Sequence, residues 1–196
     1  MCRSKWSVSV VALVAVAMLA GCAAPRKATS EKTVFEILQE KANEITAAGG
    51  LAAVGIGESK VINTALDRAK NRGRAELARM IEVKLDNLQK DFSEEIGEDE
   101  NSEYNSLFSN ATKLLTSQVL RGSVPRALKY DRKGSMTVGY ALMVQDPKVV
   151  ADAFANQANT QRHLYTRFRA SQAFDELDKE VKKFEEFKQK DGLVVQ

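Results

Sequence analysis

Cysteine is nearly absent: the 196 residues hold two, Cys2 and Cys22. Histidine occurs once, at His163. Each scarcity excludes a class of chemistry. With Cys2 and Cys22 both taken by the N-terminal processing argued below, no thiol is left for a disulfide, a metal or a nucleophile. A lone histidine beside Arg162 marks neither a zinc site nor a serine–histidine pair, because both need partners that the sequence does not set out around it. It reads as a surface helix residue. A dominant charge sign is missing too: 29 basic side chains stand against 26 acidic ones, a formal net charge of +3. A mixed, near-neutral surface gives no electrostatic case for nucleic acid.

What is present begins with a charged, then apolar N-terminus. Arg3 and Lys5 precede the run Ser7–Leu19, rich in Val, Ala and Leu, which closes on Leu19-Ala20-Gly21-Cys22. The run falls short of the about 20 apolar residues that span a bilayer comfortably. A cysteine directly after small residues is the mark of a bacterial lipoprotein signal: residues 1–21 are removed, and Cys22 carries diacylglyceryl and N-acyl (palmitate-type) lipid. An uncleaved anchor and a plain secreted form are the alternatives. Several acyl chains anchor stably where one is marginal. Ala23 and Ala24, with no Asp after Cys22, point to the outer membrane, with the chain facing the periplasm. No cofactor is expected beyond that covalent lipid, and the first partner is membrane lipid through Cys22. Removing residues 1–21 leaves 175, enough for one domain with extensions.

Residues 22–29 read as a lipidated tether, with Pro25, Arg26 and Lys27 and no periodicity. Ser30 is placed to cap an N-terminal helix over 30–49, with Val34, Leu38, Ala42 and Ile45 on one face and Gly49-Gly50 as its stop. Leu51–Gly57 reads as a buried strand. From Val61 to Phe92 the positions Leu66, Ala69, Gly73, Leu77, Ile81, Leu85, Leu88 and Phe92 recur at three and four, predicting a helix of about eight turns. Its first half is small (Ala65, Ala69, Gly73), which suits close approach to a sheet. Glu94–Glu103 reads as an acidic turn around Gly97, and Asn105–Leu120 as a second amphipathic helix ended by Gly122. Val124–Tyr130 and Met136–Gln145 form a hairpin around Asp131–Ser135, with the second strand central because both its faces are apolar, and Pro125 at a strand start or edge. Asp146-Pro147 opens a long helix over 147–190, some 66 Å if unbroken, before a tail at 191–196. In its distal part Phe174, Leu177, Val181 and Phe184 make a candidate interface. That stripe either folds back on the N-terminal helix or pairs with another subunit as a coiled coil.

The strand-then-helix unit, Val54-Gly-Ile-Gly-Glu-Ser59 followed by Ala65–Ala78, resembles the Lpp-twenty family of small outer-membrane lipoproteins, which includes the flagellar lipoprotein P type. Gly55, Gly57, Ala65, Ala69, Gly73, Leu77 and Ala78 carry the likeness, and the hairpin at 124–145 falls where the pattern wants it. The match covers about residues 50 to 150. Gly73, where such helices more often have Ala, and the long C-terminal extension depart from it. The resemblance implies a non-enzymatic envelope protein, in some members tied to motility or to a disc or ring at the flagellar outer-membrane passage.

Other patterns weigh toward bland roles. Gly55-x-Gly57 lacks the third small residue of a dinucleotide loop, since Lys60 stands there, and no Gly-Lys-Ser/Thr follows. The run Glu94, Glu95, Glu98, Asp99 and Glu100 lacks EF-hand spacing and the apolar walls that split carboxylate pKa values. Arg68, Arg72, Arg74 and Arg79 read as a solvated face, with a site for anionic lipid or glycan as the sharper alternative. The expectation is an α+β fold: a small, mainly antiparallel three-stranded sheet packed by amphipathic helices, with a long C-terminal helix. The expected function is not enzymatic: a structural or assembly lipoprotein that self-associates or docks on an envelope machine, or else a binding module for an envelope ligand or a cell-wall enzyme.

Overall fold

The computed structural model describes residues 32–97, 102–157 and 161–192. Cys22, the signal, the tether, Ser30, Ala158 and the acidic residues Glu98, Asp99 and Glu100 lie outside the described residues. The elements are α1 (Val34–Ala47), β1 (Leu51–Ser59), α2 (Ile62–Ile96), α3 (Ser102–Gly122), β2 (Pro125–Lys133), β3 (Met136–Gln145), α4 (Lys148–Gln157), α5 (Arg162–Arg169) and α6 (Gln172–Asp191). The fold is α+β, an antiparallel three-stranded sheet in the order β1-β3-β2 with a long last helix, and β3 is central.

Local chemistry accounts for most boundaries. Helix α1 opens on Thr33, not Ser30: the Thr33 hydroxyl accepts from the Glu36 amide, and the Glu36 carboxylate accepts from the Thr33 amide, a reciprocal capping box. That bond to the backbone holds the Glu36 carboxyl below its ordinary pKa. Gly49 takes φ +93 after the helix, as the Gly-Gly stop anticipates. Helix α2 runs on to Ile96 and ends at Gly97 in the left-handed region, so Glu94 and Glu95 are helical and not part of a turn. The hairpin turn is only Gly134-Ser135, tighter than the expected five residues. Gly134 has φ +62 and Ser135 is not positive, which is the pattern of a type II′ turn. Pro125, with no donor to offer, starts the edge strand β2, and a register irregularity follows between Pro125 and Ala127.

Strand alternation gives the sheet two apolar faces. Ala53, Ala141 and Met143 face α2, where they join Leu77, Ile81, Leu85 and the α3 residues Leu107, Ala111 and Leu115. Ala52, Val138, Tyr140, Leu142 and Val144 face α1 and meet Leu38, Ala42, Ile45 and the α6 residue Phe184.

The run over 147–190 is three helices, not one. Asp146 does cap its start, accepting from the Lys148 amide at 2.8 Å. The second break falls at Ala170-Ser171, where the buried Ser171 hydroxyl accepts from the Phe174 amide and donates to the Phe168 carbonyl. The turn this makes places Phe168 among Phe92, Phe108, Phe154 and Phe174, with centroids 4.5 to 5.5 Å apart. Aromatic rings from α2, α3, α4, α5 and α6 therefore meet at one point. Val150, Phe154, Leu164 and Phe168 belong to the same buried core as Ala53, Ala141 and Met143 of the sheet. A straight helix would carry Phe174 away from it.

Helix α6 then returns to α1. The Lys183 ammonium donates to the Ala47 carbonyl at 2.7 Å, and Lys188 is clamped between Asp146 at 2.6 Å and Glu185 at 2.7 Å. Burial acts to lower the Lys188 pKa, but its two carboxylate partners outweigh that and raise it above the ordinary lysine value. Burial, with Asp131 and Glu58 nearby, likewise raises the Tyr140 phenol. Both groups hold a proton more tightly folded than unfolded. Their stabilisation is whole below the unfolded values, about 10 for Tyr and 10.4 for Lys, and lost as pH rises through the folded ones. Denaturant titrations are thus expected to show a midpoint that falls above about pH 10, and less steeply in Lys188→Met. Truncating the aromatic hub, Phe168→Ala, should cost about 3–5 kcal/mol by urea unfolding.

Candidate functional site

The glycine and alanine positions of the strand-helix unit form a seam. A Cβ on Gly55 would collide with the Ala69 carbonyl and lie 2.8 Å from the Gly73 Cα; one on Gly57 would lie 2.5 Å from the Ala69 amide nitrogen. These glycines are needed for backbone-to-backbone approach, not for phosphate. Ala65, Ala69, Gly73, Leu77 and Ala78 are all buried along α2, and Gly139 of the central strand abuts Ala65 in the same way. The role of Gly139 is hidden in the sequence, where it reads only as a member of one strand face.

Arg68, Arg72 and Arg79 are exposed, as a solvated face requires, and Arg74 is half-buried, but each also holds a partner within the chain. Arg68 and Arg72 reach from α2 over the outer edge of β1 and donate to the Glu58 carbonyl at 2.5 Å and the Ile56 carbonyl at 2.8 Å. Arg74 places two donors on the Ser123 carbonyl, at 3.2 and 3.0 Å, and so fixes the entry to β2. Arg79 pairs with Glu76 at 2.7 Å. Each arginine thus places at least one guanidinium donor on the protein itself.

The candidate interface on the last helix is largely consumed within the chain. Leu177 and Phe184 are 1% and 0% exposed; Phe174 and Val181 are half-buried against the core that holds Leu177, and Phe184 lies in the core on the α1 side of the sheet. The stripe folds back and offers no continuous apolar face for a coiled coil. The gap in the apolar pattern from Ala158 to Leu164 is the sequence signal for the first break; at the second, Ala170 and the buried Ala173 fill the interval between Phe168 and Phe174.

A groove of about 590 Å³ opens between α2, the α1–β1 junction and α6. Its floor includes Leu51, Met80 and Leu88, the exposed Val83 stands in it, and Asp91 and Glu176 lie along it. Lys84 and Glu180 form an ion pair across it, joining α2 to α6. His163 is exposed on α5. Among the described residues, no group of three or more His, Cys, Asp or Glu is placed to hold a metal, and no helix is long and apolar enough to cross a membrane.

No protein-family model, curated protein or solved structure matches the chain. The placement of Gly55, Gly57, Ala65, Ala69, Gly73, Leu77 and Ala78 gives these residues a packing role. Gly55→Ala is expected to destabilise the fold by about 1–3 kcal/mol or more, since neither the helix nor the strand backbone can yield locally. Thermal unfolding of that variant beside Gly97→Ala, where a Cβ meets open space, separates crowding from backbone strain.

Proposed function

We propose that this chain is a lipid-anchored lipoprotein of the bacterial outer membrane, facing the periplasm, with a non-enzymatic structural or assembly role in the envelope. The observation that carries the reading is Leu19-Ala20-Gly21-Cys22 behind a basic and then apolar leader. Support comes from the domain that follows. Its polar side chains at strand edges and helix ends are engaged in holding backbone, as Arg68, Arg72, Arg74 and Lys183 illustrate. The likeness to the Lpp-twenty family supports the same reading and is the sole ground for a flagellar association.

The groove between α2 and α6 favours a second reading, a module that binds an envelope ligand or a cell-wall enzyme. Its apolar floor with a charged rim has the composition of a small-ligand site. Soluble peptidoglycan fragments that bind the wild type but not Val83→Asp would shift the assignment to it.

Metabolic labelling with palmitate tests the anchor. The wild type should take up label and fractionate with the outer membrane, whereas Cys22→Ala should take up none and keep residues 1–21. Label retained in Cys22→Ala would sink the lipoprotein reading.

A further inference from the structure

The two edges of the sheet are treated differently. At the β1 edge, Arg68 and Arg72 occupy outward carbonyls of Ile56 and Glu58, which blocks strand addition. The β2 edge has no such cover among the described residues: the sheet ends there, and Leu128 and Tyr130 are 43% and 51% exposed. A long exposed edge with apolar side chains is a template for another strand.

We propose that the outer edge of β2 pairs antiparallel with β2 of a second copy of this chain, centred on Tyr130, to make a continuous six-stranded sheet. Two observations select that partner and that register. Past the irregularity at Pro125/Ala127, the regular stretch of β2 is Ala127–Lys133, and Tyr130 is its midpoint. A two-fold axis there engages the whole stretch on both copies. It also sets Lys129 of each copy opposite Asp131 of the other, twice over, and neither side chain forms a salt bridge within the described residues. Centring on Lys129 instead would oppose the two lysines and set Arg126 against Arg132. Centring on Leu128 would run the pairing into the irregular Arg126. Opposite charges directly across a strand pair stabilise and like charges destabilise it.

One strand pair is a weak interface for free molecules. Confinement to a membrane raises the effective concentration enough to populate it. That consequence rests on the lipid-anchor reading; the pairing geometry does not.

Cysteine cross-linking of the full-length chain, in membranes and in detergent, tests the register. Tyr130→Cys should give a covalent dimer on mild oxidation, since directly opposed Cα atoms lie about 4.5–5.5 Å apart, within disulfide reach. Lys133→Cys should not, because its counterpart is about 20 Å away along the strand. Sedimentation in detergent should show Lys129→Glu weakening self-association about tenfold or more, with the Lys129→Glu/Asp131→Lys pair restoring it. Circular dichroism melting confirms that each variant folds. A cross-link at Lys133 but not Tyr130, no rescue by the charge swap, or a chain that is monomeric in membranes and captures only a different protein each overturns the proposal. Palmitate uptake at Cys22 is unaffected by these outcomes, so this inference and the anchor reading fail separately.

Discussion

The approach of α2 to the sheet is the constraint on which the rest of the structure depends. Helix and strand backbones touch at Gly55, Gly57 and Gly139, where a side chain larger than hydrogen would force them apart, while at Gly73 a Cβ would press on the Met143 side chain. That contact fixes both the distance and the angle of a 35-residue helix. At 1.5 Å per residue α2 is about 50 Å long, against about 30 Å for a nine-residue strand, so it must overhang the sheet. The overhang, from Ile81 to Phe92, needs its own cover. Helix α3 supplies it with Tyr104, Leu107, Phe108 and Ala111, and α4 and α5 complete it with Phe154, Leu164 and Phe168. The core thus continues beyond the sheet as a purely helical cluster with aromatic rings at its centre.

The same close approach explains the reach of the arginines. With α2 pressed against β1, Arg68 and Arg72, one turn apart, can put their guanidinium groups on carbonyls two residues apart along the strand edge. The seam therefore both packs the sheet and closes one of its edges. On the far side of the sheet, α1 and the distal part of α6 cover the second apolar face, with Phe184 seated between Ile45 and Gly50. The last helix is a strap that joins the ends of the domain through Lys188 with Asp146 and Lys183 with Ala47. Its apolar stripe is internal for that reason.

Elements whose period and punctuation agree are legible in the amino-acid sequence. The small positions of α2, the central character of β3, the Asp146 cap and the glycine stop after α1 follow from spacing, two-sided apolarity and turn chemistry. The breaks in the C-terminal run are harder to see. Glu, Lys, Gln and Arg between the apolar residues are good helix formers on both sides of Ala170-Ser171, so propensity alone gives no stop. The interruption is set by Ser171, whose hydroxyl turns inward to cap α6 once Phe168 is held in the aromatic cluster. Arginine roles are likewise invisible in the chain, because a charged side chain on a helix reads as solvated unless a strand edge is known to lie beside it.

The sequence by itself determined the α+β class, the sheet's central strand and the seam at which α2 meets it. These depend on neighbours within a few residues or on a strict period of two or 3.6, which can be counted along the chain. Only the tertiary structure decided where α6 lies, which sheet edge is closed and which is left open, and that Leu177 and Phe184 are core residues. Those outcomes join positions far apart in the chain, such as Ala47 with Lys183 or Phe92 with Phe168, and such contacts are chosen by packing among many partners that look alike in sequence.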